Sequence, residues 1–196
     1  MKIILKLVLL FKQQPLVIIL KEDLIITNLL LTITKSWFLN KNNFLNLFYF
    51  FKKAPIIVGG SSFSLAEIKF LLKKSFQPIL IINTSDFNKD LLQNFPKVGY
   101  LVTNYETANL IKKEKNDSLP IYDVGLNNNS DFWMSNINIE KEFNFKINYE
   151  GDTIPFWLNK EIYQGKEIEV LLAIRTGLIL GHNLVEMGQS CLKKLA

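Results

Sequence analysis

The chain has 196 residues, a formal net charge of +5, 48% hydrophobic and 21% charged residues, values that fit one folded domain and exclude a disordered chain. A lone cysteine, Cys191, excludes an intramolecular disulfide framework, and with a lone histidine, His182, one chain cannot assemble a Cys/His zinc site. His182 has no supporting catalytic motif around it, so most catalytic chemistry that depends on His or Cys is not expected. The residue choice is that of AT-heavy coding: 20 Asn, 23 Ile, 15 Phe and 22 Lys stand against five Ala and a single arginine, Arg175. Such a bias suits an organellar or parasite genome, with an ordinary AT-rich nuclear gene as the alternative.

Residues 1–22 read as an N-terminal extension. Met1–Phe11 is apolar but broken by Lys2 and Lys6, and Leu16–Leu20 is a short apolar run with room for a strand. Leu24–Thr34 is the longest such stretch, and none reaches the ~18 apolar residues a membrane-spanning helix needs. No small-residue cleavage site follows the start and no Arg-rich transit peptide is present, which fits a protein made in the organelle where it works. Asp23–Phe51 reads as mostly helix.

A regular alternation follows. Pro55–Val58 is a buried strand ended by Gly59-Gly60, and Ser64 with Glu67 has the spacing of a capping box. That box opens a helix with Leu65, Ile68, Leu71 and Leu72 inward. Pro78–Ile82 is a second strand, and Ser85 or Asp86 can cap a helix carrying Phe87, Leu91, Leu92 and Phe95. Val98–Val102 is a third strand, followed by a second capping box, Thr103 with Glu106, and a helix with Ala108, Leu110 and Ile111 inward. Pro120–Leu126 is a fourth strand. Fully apolar strands alternating with capped helices predict an α/β fold, a Rossmann-like or flavodoxin-like parallel sheet with helices on both faces. It forms a single domain over residues 23–180, with Asn127–Gly151 as a loop, a closing helix within Ile154–Leu180, and a tail at 181–196.

Four groups of residues could carry function. Gly59-Gly60-Ser61-Ser62 lies between strand and helix, where backbone N–H groups can cradle a phosphate. It lacks both the dinucleotide fingerprint and the Gly-Lys pair of a P-loop, and a tight turn explains it as well. Asp86, Asp123, Asp131, Glu150 and Asp152 fall near strand ends, as acids, magnesium ligands or plain caps and turns. Lys52, Lys53, Lys69, Lys73, Lys74, Lys112, Lys113 and Lys115 are the densest cations, suited to phosphates or to solvated helix ends. Phe132, Trp133, Phe156 and Trp157 could meet a partner or fill the core.

Three stretches resemble one known family. Lys53–Gly60, Leu119–Asp131 and Ile147–Thr153, in that order, are similar to the strand-and-turn segments of small-subunit ribosomal protein two. The family's helical hairpin would be lost here, because only Thr84–Phe95 lies where it belongs. The resemblance implies a structural constituent of a mitochondrial small ribosomal subunit that supports translation, with no catalytic residue, cofactor, metal or small-molecule substrate. Its partners would be small-subunit rRNA, held by Lys52, Lys53, Ser61, Ser62, Lys69, Lys73, Lys74, Lys112, Lys113 and Lys115, and neighbouring ribosomal proteins, held by Phe132, Trp133, Phe156 and Trp157. It implies the mitochondrial matrix, with a plastid ribosome as the alternative location. The competing readings are a phosphate- or nucleotide-binding α/β enzyme using Gly59–Ser62, and an accessory subunit of an organellar membrane complex with Ile3–Leu20 against the membrane.

Overall fold

Alternate residues of an extended strand face opposite ways, so a strand that is apolar throughout must be covered on both sides. The structure, a computed structural model describing residues 15–39, 54–85, 87–93, 95–114 and 119–192, shows this arrangement. Strands β1 (Pro15–Ile19), β2 (Trp37–Leu39), β3 (Ile56–Gly59), β4 (Gln77–Ile82), β5 (Tyr100–Asn104) and β6 (Ile121–Val124) form one sheet in the order β2-β3-β1-β4-β5-β6. Every pairing in it is parallel.

The helices are α1 (Leu24–Thr34), α2 (Leu65–Lys74), α3 (Lys89–Gln93), α4 (Tyr105–Glu114), α5 (Lys160–Tyr163), α6 (Glu167–Ile179) and α7 (Leu184–Leu192). Val17, Ile19, Ile57, Ile79, Ile81, Val102 and Val124 face α1, α6 and α7. Leu16, Ile18, Ile56, Val58, Leu80, Ile82 and Leu101 face α2, α3 and α4. The α/β class with helices on both faces is therefore the fold of this chain.

Several boundaries differ from the sequence reading. Leu16–Ile19 is not part of an extension, because β1 sits mid-sheet between β3 and β4. The long helix expected over Asp23–Phe51 stops at Thr34, where Lys35 turns left-handed at φ 49° and Trp37–Leu39 pairs with β3 instead. Residues 40–51 of that expectation lie outside the described residues. Leu110, expected inward, is exposed. Part of the expected tail is helix α7, whose Leu184, Met187 and Cys191 join the core.

The largest difference lies in the expected loop. Within Asn127–Gly151 and beyond it, β7 (Phe132–Asn138), β8 (Phe143–Tyr149) and β9 (Asp152–Leu158) form an antiparallel sheet. Phe143, Phe145 and Ile147 point inward while Asn144, Lys146 and Asn148 alternate with them, a period of two that polar residues disguise as loop. Glu150 and Gly151, at φ 51° and 88°, make the two-residue turn between β8 and β9. The β7 end of this sheet continues the first: Gly125, just past β6, donates to the Phe132 carbonyl at 3.1 Å and accepts from Met134 N–H at 3.0 Å.

Helix α6 seals the joint. It is buried all round from Val170 to Gly177, as a helix between layers must be. A side chain at Gly177 would meet Met187 Sδ at 2.5 Å and Ile33 Cδ1 at 3.0 Å, so this glycine sets the approach of α6 to α1 and α7.

Candidate functional site at the C-terminal edge of the parallel sheet

In an open parallel sheet a ligand crevice forms where neighbouring strands send their connections to opposite faces. Here that point is the end of β1. Its connection runs to α1 on one face, while β3 and β4, on either side, lead to α2 and α3 on the other.

The β1–α1 turn is only Leu20-Lys21-Glu22-Asp23. Leu20 N–H donates to Ile81 O at 2.9 Å and prolongs the β1–β4 pairing. The Lys21 backbone is clamped by the Asn83 side chain, which donates to its carbonyl at 3.0 Å and accepts from its N–H at 3.4 Å. The Glu22 carboxylate accepts from Ser61 Oγ at 3.1 Å, joining the turns after β1 and β3. Asp23 accepts from the N–H groups of Ile25 and Ile26 at 2.9 and 3.0 Å, so α1 is capped from within.

The same closure holds at the neighbouring helices. Ser64 and Glu67 form the expected capping box on α2, with Ser64 N–H to Glu67 Oε2 at 2.9 Å and Glu67 N–H to Ser64 Oγ at 3.4 Å. On α4 the cap is Asn104 rather than the expected Thr103, with Thr107 N–H to Asn104 Oδ1 at 2.8 Å. Thr103 instead donates to Ile82 O at 2.8 Å and is buried. One or two of the N–H groups that would meet a bare phosphate at each of these helix ends are thus already taken by the chain's own side chains.

Gly59-Gly60 has a packing reason. A Cβ on Gly60 would lie 2.5 Å from Leu20 O and 2.8 Å from Ile19 O, and one on Gly59 would lie 2.9 Å from the Glu22 carboxylate. The glycines let β3 end against the β1 turn, and Ser61 and Ser62 continue in a short 3-10 turn. What the crevice offers a ligand is therefore the exposed Lys21 side chain, the half-buried Glu22 carboxylate and the Ser61 hydroxyl that holds it.

The other residues singled out from sequence fall elsewhere. Lys69, Lys73 and Lys74 on α2 and Lys112 and Lys113 on α4 belong to helices covering one face of the sheet. Lys69 lies 3.9 Å from Asp90, and Lys112 lies 3.4 Å from Asp123, whose carboxyl is buried on β6. Lys52, Lys53, Lys115 and Asp86 lie outside the described residues. Phe132 and Phe156 have no exposed surface and fill the core, whereas Trp133 and Trp157 are half-buried on the other side of their strands. Asp131, Glu150 and Asp152 lie at the turns of the second sheet. Among the described residues no three His, Cys, Asp or Glu side chains gather as a metal site, and no helix is long and apolar enough to cross a membrane. Leu16–Ile19, which one reading laid against a membrane, is the buried centre of the sheet. Sequence reasoning missed Lys21, Glu22 and Asp23. Their signal was a polar triplet between an apolar run and an apolar helix.

No protein-family profile matches the sequence, and no curated protein matches it. Solved structures do match its fold. A UDP-N-acetylmuramoylalanyl-D-glutamyl-2,6-diaminopimelate–D-alanyl-D-alanyl ligase from Acinetobacter baumannii superposes with a TM-score of 0.67 at 12% identity, over 97% of this chain and 49% of that one. The MurF ligase from Thermotoga maritima, solved in complex with ADP, gives 0.66 at 11% identity, over 94% and 50%. A murein peptide ligase from Psychrobacter arcticus gives 0.52 at 12% identity, over 92% and 46%. The chain spans about half the length of these structures, and at such identity the likeness is one of fold.

These neighbours overturn the ribosomal reading. The structures this chain resembles here are ligases rather than small-subunit ribosomal protein two, so the expectations of a ribosomal constituent, of rRNA and ribosomal-protein partners, and of a role in mitochondrial translation are withdrawn. The expectations of no catalysis and no small-molecule substrate fall with them, since the neighbours are ligases and one was solved with ADP. The stretches behind the resemblance have local causes. Lys53–Gly60 ends in a glycine pair set by packing, and Ile147–Thr153 is the β8–β9 turn.

Proposed function

We propose that this chain is a ligase-like α/β module that seats the phosphates of a nucleotide in the crevice beyond β1. The observation that carries the reading is the Glu22–Ser61 contact at the topological switch point, on a frame similar to that of a ligase solved with ADP. The crevice works differently from a glycine-rich phosphate loop. Asp23 already occupies the α1 N-terminus and Glu22 adds a second carboxylate beside it, so a naked phosphate would meet repulsion. A magnesium-bound nucleotide avoids this. Magnesium typically takes one or two carboxylates and leaves its other positions to phosphates and water, a role open to Glu22. Lys21, exposed one residue earlier, supplies a cation for the phosphate oxygens.

Calorimetric titration of the chain with ADP, with and without magnesium, tests this. Saturable binding that needs magnesium, and that weakens at least ~10-fold in Glu22→Gln (about 1.4 kcal/mol), is the expected result. No saturable binding at millimolar ADP with magnesium would sink the proposal. Gly60→Val is a poor control here, because it would strike the Leu20 carbonyl and disturb the sheet itself.

A further inference from the structure

Arg175 is the only arginine in a chain with 22 lysines, and it is 5% exposed. It projects from α6 into the seam between the two sheets. Its guanidinium carbon lies 4.4 Å from the Tyr149 ring centre, 4.9 Å from Tyr122 and 5.2 Å from Phe132. The three rings come from β8, β6 and β7, so both sheets contribute to the cage.

The cage answers only part of the need of this group. Ring faces attract the cation, but a guanidinium also carries five N–H donors in one plane. Among the described residues, Nε is buried without an acceptor and no ion pair joins Arg175 to a carboxylate. The nearby acids are committed elsewhere or face away. Asp123, one residue along β6 from Tyr122, lies on the opposite face of the strand against Lys112, and Asp131 and Glu150 are exposed at their turns. The terminal nitrogens, unlike Nε, are not among the buried atoms left without a partner, and the residue as a whole keeps 5% of its surface exposed. Two other buried atoms lack a partner among the described residues: Asp123 Oδ1, on the face of β6 away from Arg175, and Ser130 Oγ, in the loop between β6 and β7 against Gly125.

A buried cation without a counter-ion is costly, and arginine is the cation whose planar fork matches a two-oxygen anion. Lysine serves elsewhere in this composition, and it could fill neither the stacked nor the forked part of this role. We infer that the terminal nitrogens of Arg175 are a receptor for an oxyanion, a carboxylate or a phosphate, gripped edge-on at the seam between the two sheets. The site is separate from the crevice beyond β1 and does not depend on nucleotide binding there.

The single arginine supplies its own probe. Labelling the full chain with 15N-arginine gives one Nε–H resonance, which is followed while sodium phosphate or sodium acetate is added against sodium chloride at matched ionic strength. A saturable shift with phosphate alone assigns a phosphate ligand, and one with acetate alone assigns a carboxylate. Either anion should also raise Tm in the native chain and fail to do so in Arg175→Lys, with Glu22→Gln retaining the full response. A resonance that moves no further in phosphate or acetate than in chloride would overturn the receptor and leave the ring cage as the whole role of Arg175.

Discussion

Gly60 leaves no room for a methyl group. The atoms a Cβ would strike, Leu20 O at 2.5 Å and Ile19 O at 2.8 Å, are backbone of the central strand and cannot swing aside. Gly60→Ala should therefore cost about 1–3 kcal/mol, the usual cost of forcing extra volume into a packed site, read as a lower urea midpoint with an unchanged slope. An unaltered midpoint would mean that β3 can move away from β1. The glycine pair was visible in the sequence, but its cause was not, since the oxygens it accommodates belong to another strand. Tyr163 gives a second test at this scale. Burial pushes its phenol above the ordinary value, and the neighbouring Cys191 thiolate adds to the shift. The folded chain thus holds this proton more tightly than the unfolded one. Its contribution is complete below about pH 10, the ordinary phenol value, and is lost as pH rises through the raised folded value. Tyr163→Phe should flatten the alkaline fall in stability relative to the native chain. An equally steep fall in both would show that Tyr163 is not its source.

Among the elements, helix α1 shows what a cap does for both stability and chemistry. Asp23 satisfies two N–H groups of a helix that buries Ile26, Leu29, Leu30 and Ile33 against the sheet. Asp23→Ala should lower stability by about 0.5–2 kcal/mol, while Asp23→Asn, which keeps the accepting oxygen, should lose much less. Equal losses in thermal unfolding would assign the effect to charge rather than to the cap. The elements that sequence made legible share a physical cause. β3 and β4 are buried on both faces and so read as nearly unbroken apolar runs, and the α2 capping box is a local signal complete within four residues. The second sheet was missed because its strands are half exposed. Phe143, Phe145 and Ile147 alternate with Asn144, Lys146 and Asn148, and counting polar residues without their period turns such a strand into a loop. The candidate crevice was missed for a different reason. Glu22 and Ser61 meet only because β1 and β3 lie side by side, a pairing that no local pattern specifies.

At the scale of the whole molecule, the question is whether the two sheets form one cooperative body. One core contains Val17, Ile79 and Val102 of the parallel sheet together with Phe132, Phe145 and Phe156 of the antiparallel one, and residues 170–174 of α6 lie inside it. The backbone joins the sheets as well, through the two hydrogen bonds of Gly125 with β7. Helix α6 touches β5, β6 and β7, so weakening it withdraws support from both sides at once. Leu172 is fully buried within α6, and truncation to alanine should cost about 2–5 kcal/mol. If the sheets are one body, that loss appears as the same decrease in hydrogen-exchange protection for Ile18 on β1 and Ile147 on β8, because both amides then exchange only through global unfolding. If the antiparallel sheet is instead a separate unit docked on the first, Leu172→Ala would strip protection from Ile147 and leave Ile18 nearly unchanged. The shared core favours the first outcome. It also explains how the seam that carries Arg175 can stay buried in a chain otherwise rich in exposed lysine: a cage with rings from β6, β7 and β8 exists only while both sheets are in place.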